Sequence, residues 1–245
     1  MLKYFRICKG GVLMKKLETV KLNTVSSTST YAREHISTLS LPSLITAECQ
    51  TNGRGRQGKS FYSPADSGLY MTLAFESERP LPLITPAAAV AVCETVEEIS
   101  SIRPSIKWVN DIFLSDKKVC GILSEALSVN GKTVYLIGIG INLTTSDFPK
   151  ELDIAGSLNL ETDKQALAEN ISRRILDFAQ NGDGKQTVDD YRKRLFILGR
   201  EINFTENNNV YKATAKDINE FCNLIVELPD GSEKLLSSGE ISIKI

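Results

Sequence analysis

The sequence predicts an α+β fold: a mixed, mainly antiparallel sheet with flanking helices, followed by a small β-barrel at the C-terminus. Three observations predict it. One long helical pattern, Leu83 to Ile99, stands among segments that read as strands. Three strand-like segments then follow with only short turns between them, which makes an antiparallel meander. Beyond Gly199 the chain holds only short strand-like stretches separated by turn clusters. The 245 residues, 42% of them hydrophobic, are enough to fill one sizeable core with a small module beside it.

In chain order, Ser27 to Ile36 begins with Ser/Thr cap residues and reads as a short helix, and Leu44 to Cys49 reads as a buried strand. Leu69 to Phe75 is a second strand. Thr85-Pro86 precedes Ala87, Val90, Ala91, Val96 and Ile99 at helical spacing, which is the long helix. The meander is predicted as Ile106 to Leu114, Val119 to Leu127 and Thr133 to Ile141, with turns at Ser115 to Lys118 and Asn130-Gly131. Helices over Lys164 to Gln180 and Thr187 to Leu198 follow. The final module has turns at Asn207-Asn208-Asn209, Pro229-Asp230-Gly231 and Ser237-Ser238-Gly239. The predicted organisation is an N-terminal extension over 1–22, disordered in this reading, a main domain over 23–198 and a β module over 199–245. Met14 is expected as an alternative start to Met1.

Composition excludes several classes. A net charge of −1 gives no global field for nucleic acid or a membrane surface, so phosphate binding must come from a local cluster. The five scattered cysteines, with no C-x-x-C pair, argue against a disulfide framework or a zinc site and for a reducing cytosol. His35, the single histidine, is expected to be structural or solvent-exposed. No stretch reaches the ~20 apolar residues of a membrane span.

Gly53-Arg54-Gly55-Arg56-Gln57-Gly58-Lys59-Ser60 fits both the Walker A spacing and, in its first six residues, G-x-G-x-x-G. Both patterns work by opening a helix whose N-terminus holds phosphate. The following residues, Phe61 to Gly68, contain Pro64 and turn formers before the next strand, so no such helix is expected. What remains is an anion-binding loop in which two arginine forks suit carboxylate or phosphate oxygens. Lys107-Trp108-Val109-Asn110-Asp111 places a cation at the end of an apolar strand beside a large aromatic. Gly138-Ile139-Gly140-Ile141-Asn142 ends another strand, where missing side chains would admit a flat ligand.

Taken together and in order, Ser27-Thr28-Ser29, Gln50, the arginine-glycine loop, Lys107 to Asp111, Gly121-Ile122-Leu123 and Gly138 to Asn142 resemble the biotin protein ligases. Gly239-Glu240-Ile241-Ser242 resembles the closing strand of that family. The resemblance runs from about Ser26 to the C-terminus. It implies a catalytic domain like that of class II aminoacyl-tRNA synthetases and lipoate ligases, with an SH3-like C-terminal barrel. The implied reaction joins biotin and MgATP into biotinyl-5′-AMP, then passes biotin to a lysine of a biotin carboxyl carrier domain of a biotin-dependent carboxylase.

Residue by residue, the resemblance implies catalytic roles for Lys107, Arg56 and Arg54. Ser27, Thr28, Ser29 and Gln50 would hold biotin. Gly53, Gly55, Trp108, Asn110, Gly121, Gly140 and Asn142 would complete the ligand site, with Phe61 packing on adenine. Mg²⁺ would come with ATP, and Asp111 is the one candidate ligand for it. Ser29 stands where the family usually has Asn, and Val109 where it has Pro. The stretch ahead of Ser26 is too short for a winged-helix domain, so no DNA partner and no membrane partner are expected, and a homodimer is left open. The rival readings are a lipoate or octanoate ligase on the same fold and a non-catalytic module that docks a carrier domain.

Overall fold

The computed structural model describes residues 16–206, 209–239 and 241–242. Within it a seven-stranded sheet forms in the order β1-β2-β3-β7-β6-β5-β4. The strands are β1 (Glu18–Val25), β2 (Ser43–Gln50), β3 (Gly68–Glu76), β4 (Ser105–Lys107), β5 (Asp111–Leu114), β6 (Lys117–Val129) and β7 (Lys132–Asn142). β1 and β2 are parallel and every other pair in the sheet is antiparallel. No helix among the described residues is long and apolar enough to cross a membrane.

Alternation along the central strands sorts side chains to two faces. Met71, Leu73, Ile137, Ile139 and Ile141 face the main core, which is covered by α2 (Leu81–Ile99), α3 (Lys164–Asn181) and α4 (Gly184–Arg194). Ala74 and Leu136 face the other way, where α1 (Thr28–Glu34) lays Ala32 on the sheet. α2 is alanine-rich and buried along most of its length. α3 starts on Asp163, whose carboxylate accepts from the Gln165 and Ala166 amides at 2.9 and 3.1 Å. That cap satisfies two of the orphan donors of the first turn.

The second sheet is antiparallel, in the order β11-β10-β9-β8-β12. Its strands are β8 (Glu201–Glu206), β9 (Asn209–Ile218), β10 (Leu224–Glu227), β11 (Glu233–Leu236) and β12 (Ile241–Ser242). Among the described residues no ladder joins β11 to β12, so the expected barrel is an open sheet there. Ile202, Ala215, Leu224, Val226 and Ile241 belong to the same hydrophobic cluster as the main core. The two sheets therefore share one interior.

Three sequence expectations change. The segment expected as an N-terminal extension contains the start of β1, which is hydrogen-bonded to β2 from Glu18↔Ser43 onward. Val20 and Leu22, two apart, pack on the smaller cluster, a period-two signal too short to stand out against polar neighbours. Met1 to Lys15, with Met14 and Cys8, lie outside the described residues, as do Asn207, Asn208 and Glu240 of the expected C-terminal turns and strand. The segment Ile106 to Leu114 is not one strand but the hairpin β4–β5, with Lys107 opposite Asp111 and a cis peptide bond between Trp108 and Val109 in the turn. Helix α4 begins at Gly184, three residues before the expected Thr187, because Asp183 caps it by accepting from the Lys185 amide at 2.8 Å. It ends at Arg194, and Leu195 instead bridges to Ile106 at the sheet edge.

Candidate active site

A cavity of about 530 Å³ opens on the α1 face of the large sheet. Its floor is glycine: Gly121 pairs with Gly140, and Thr72 pairs with Gly138, across β6, β7 and β3. Above Gly138 sits the Ser29 hydroxyl, 2.5 Å from where a Cβ would be. Above Gly140 sits the Phe61 ring, 2.4 Å from such a Cβ, and a Cβ on Gly121 would stand 3.3 Å from the same ring. The trough expected to admit a flat ligand is thus occupied in part by this chain's own phenyl group. The glycines let the ring reach the backbone.

One wall is a directed chain of hydrogen bonds. Thr28 Oγ1 donates to Gln50 Oε1 at 3.2 Å, and Thr72 Oγ1 donates to Thr28 Oγ1 at 2.9 Å. With the Thr72 proton so used, Ser29 Oγ, 3.1 Å away, is the donor to Thr72. Gln50 Nε2 continues to Ser63 Oγ at 2.8 Å, and Ser63 donates to the Phe61 carbonyl at 3.0 Å. Ser29 therefore turns acceptor lone pairs to the cavity. The Ser27 hydroxyl caps α1 by accepting from the Ser29 amide at 3.2 Å and keeps its proton to donate. Ser27, Thr28, Ser29 and Thr72 are all buried.

The opposite rim is cationic. The segment 53–61 closes on itself through Gly55 N to Lys59 O at 2.7 Å and Phe61 N to Gly53 O at 2.9 Å, with an Arg54↔Ser60 bridge. Only a three-residue 3₁₀ turn, Arg56–Gly58, interrupts it, with Gln57 at φ 54°. No α-helix follows, as the turn formers after Ser60 predict. Arg56 donates to Asn110 Oδ1 at 3.0 Å, and Asn110 donates through Nδ2 to the Ile122 carbonyl at 2.8 Å. Asn110 thereby fastens the loop to β6. Lys107, at the end of β4, has its ammonium 5.8 Å from the centre of the Phe113 ring. Trp108 is core: its indole donates to the Cys222 carbonyl at 2.8 Å, and the Tyr191 hydroxyl donates to the Val109 carbonyl at 2.8 Å. The turn carrying Lys107 is thus clamped from α4 and from the second sheet.

Ser27, Thr28, Ser29, Gln50, Arg54, Gly55, Arg56, Phe61, Lys107, Trp108, Asn110, Asp111, Gly121, Gly140 and Asn142 all line this cavity. Gly53 does not: a Cβ there would stand 2.4 Å from the Phe61 carbonyl, so it lets the base of the loop close. Asn142 donates to the Gly156 carbonyl at 2.9 Å, while its Oδ1 is a buried acceptor without a hydrogen-bond partner among the described residues. Several lining residues escaped sequence reasoning. Lys118 runs past Gly121 to Asp111 and pairs with it at 2.6 Å. Phe148 and Glu151 to Ala155 form a further wall, and Asn203, Thr205, Ile241 and Ser242 bring the second sheet to the cavity. A lysine after a turn and a polar pair in an edge sheet carry no local signal. His35 is exposed and stacks on Tyr31, away from this chemistry, as expected. No three His, Cys, Asp or Glu side chains gather into a metal cluster among the described residues.

Comparisons with known proteins agree with this geometry. A family model described as the biotin/lipoate A/B protein ligase family matches residues 22–142, and one described as the biotin protein ligase C-terminal domain matches residues 197–244. The bifunctional ligase/repressor BirA of Bacillus subtilis is 42% identical over 137 residues, which is 53% of this chain and 41% of that protein. That match spans less than half of the relative's length. BirA of Escherichia coli is 25% identical over 240 residues, 91% of this chain and 73% of that protein. The biotin protein ligase from Aquifex aeolicus, solved in complex with biotin and ATP, has a TM-score of 0.79 at 26% identity and covers 93% of this chain and 98% of its own. A glycine-floored cavity between a hydroxyl relay and an arginine rim, with both family models meeting around it, leads to one assignment: the chain belongs to the biotin/lipoate A/B protein ligase family.

Proposed function

We propose that this chain forms biotinyl-5′-AMP from biotin and MgATP and transfers biotin to a lysine of a biotin carboxyl carrier protein. One observation carries the reading: a neutral hydrogen-bonding wall and a cationic rim share a single cavity, as a reaction between a polar carboxylic acid and a triphosphate requires. A carboxylate and a phosphate a few Å apart repel by several kcal/mol in a low-dielectric site unless cations neutralise them. Lys107, Arg54 and Arg56 at the rim are the cations for that neutralisation, Lys118 being paired with Asp111.

At the neutral wall, Ser29 offers acceptors and Ser27 a donor, the pairing that a cyclic urea with two N–H groups and one carbonyl requires. The unpartnered Asn142 Oδ1 is an acceptor for a donor such as the adenine amine. A carboxylate oxygen of biotin attacks the α-phosphorus and pyrophosphate leaves. The carrier amine then attacks the acyl carbon, AMP leaves, and the new amide loses a proton. Lys107 stabilises the charge that builds in the first step, while Arg54 and Arg56 keep water from the anhydride. Mg²⁺ neutralises phosphate charge when bound. Asp111 already pairs with Lys118, and Glu151 and Asp153 line the same cavity without clustering, so phosphate oxygens would supply most of its ligands.

In this reading 23–198 is the catalytic unit and 199–245 contributes a wall of the site. The cytosol is its compartment, in keeping with the free cysteines Cys49, Cys93, Cys120 and Cys222 among the described residues. The outer edge of β1, unpaired among the described residues, would suit a homodimer. Pyrophosphate exchange dependent on the added acid tests the reaction: activity with biotin is expected, and activity with lipoate alone would reassign the chain. Lys107→Ala is expected to lower that exchange by about 10²-fold or more with the fold intact. Exchange at the wild-type rate in that variant would remove Lys107 from the chemistry.

A further inference from the structure

The two arginines of the rim are held differently. Arg56 rests on a neutral amide, Asn110. Arg54 rests on a carboxylate, Glu125 of β6, which takes its Nη1 and Nη2 at 3.2 and 3.0 Å in a two-pronged contact. The same Oε1 accepts from Arg33 Nη2, in the last turn of α1, at 2.5 Å. The Glu125 side chain is 15% exposed while the two arginines are 38% and 41% exposed, so the buried member of the cluster is the anion.

Glu125 does not line the cavity and Arg54 does, so the carboxylate holds the guanidinium from behind. A planar fork bound on two donors has its orientation fixed as well as its place. Two guanidiniums share one carboxylate, which leaves the cluster with a net positive charge. Arg54 is therefore fixed without being quenched and still attracts an anion.

We propose that Glu125 is a positioning residue that holds the segment 53–60 over the cavity through Arg54 and ties it to helix α1 through Arg33. Without the carboxylate, Arg33 and Arg54 would face each other as like charges at the site of the oxygen they now share. Of the two arginine contacts described for the loop, that of Arg56 with Asn110 would then remain. The consequence for catalysis rests on the acyl-adenylate reading above, whereas the latch itself is a contact within this chain.

Trypsin tests the latch directly, because Arg54, Arg56 and Lys59 are all cleavage sites within the loop. In the full-length ligand-free protein, Glu125→Gln is expected to raise cleavage at these three bonds about tenfold, with cleavage elsewhere and the melting temperature unchanged. Glu125→Asp, which keeps the charge but shortens the reach, is expected to fall between the two and serves as the test if the Gln variant is destabilised. Arg33→Gln leaves the Arg54 contact in place and should leave loop cleavage within about twofold of wild type. Loop cleavage at the wild-type rate in both Glu125 variants would overturn the proposal. With biotin and ATP, the Gln variant should also release biotinyl-AMP about tenfold faster relative to carrier labelling. Absence of biotin-dependent exchange in the wild type would refute the reaction and leave the proteolysis result standing.

Discussion

At the scale of single residues, Gly140 shows how closely the cavity floor is fitted. A Cβ at this position would stand 2.4 Å from one carbon of the Phe61 ring and 2.7 and 2.8 Å from two more, so the ring must move if the methyl is added. Gly140→Ala is expected to cost about 1–3 kcal/mol. In a Phe61→Ala background the same change should cost little, and a double-mutant cycle by thermal denaturation reads the difference; additive effects would show that the ring does not rest on the glycine. Gly140 and Phe61 were both visible in the sequence, but not that one covers the other. They are 79 positions apart in a loop and a strand, and motif spacing carries no such distance. Lys118 and Glu125 were invisible for a related reason. Each is a common surface type in a strand, and what singles it out is a partner from another element: Asp111 for one, Arg33 and Arg54 for the other.

At the scale of elements, the β4–β5 hairpin determines where Lys107 stands. Its turn is clamped by the Tyr191 hydroxyl on the Val109 carbonyl and by the Trp108 indole on the Cys222 carbonyl. Tyr191 is fully buried, so Tyr191→Phe leaves the carbonyl without a partner and no water to replace it. A loss of about 1–3 kcal/mol is expected, together with slower pyrophosphate exchange as the turn loosens. Denaturant unfolding and the exchange assay check both, and an unaltered protein in both would show that the clamp is idle. The helices and the long strands were legible because their apolar periods run for many residues. The hairpin was not, because Ile106, Trp108, Ile112 and Phe113 give an apolar run that hides the reversal. What reverses the chain there is pairing of Lys107 with Asp111, which no local pattern announces.

At the scale of the whole molecule, burial leaves a signature on the alkaline side. It pushes the Cys93 and Cys222 thiols up to about 12 from 9.0 and the Tyr70 hydroxyl up to about 12 from 10.0. Cys120 and Tyr191 are raised by the same desolvation. Above pH 9 the unfolded chain loses protons that the folded chain keeps, so the folded state binds more of them and stability falls as pH rises. The contribution is whole below about pH 9 and declines toward 12, and urea midpoints measured across that window check it. A midpoint that stays level through the window would contradict it.

The interior shared by the two sheets also limits how such a chain can change over generations. Residues 22–142 and 197–244 correspond to separately recognisable segments, which suggests parts that could be exchanged between relatives. Yet Cys222 holds Trp108 in place, and Asn203, Thr205, Ile241 and Ser242 complete a cavity whose floor belongs to the other segment. A hybrid joining this chain's first segment to a distant relative's second would inherit a mismatched seam through its ligand site. Drift in one half must be answered by drift in the other, and a laboratory library that recombines the two halves should keep function only where both sides of that seam come from the same parent.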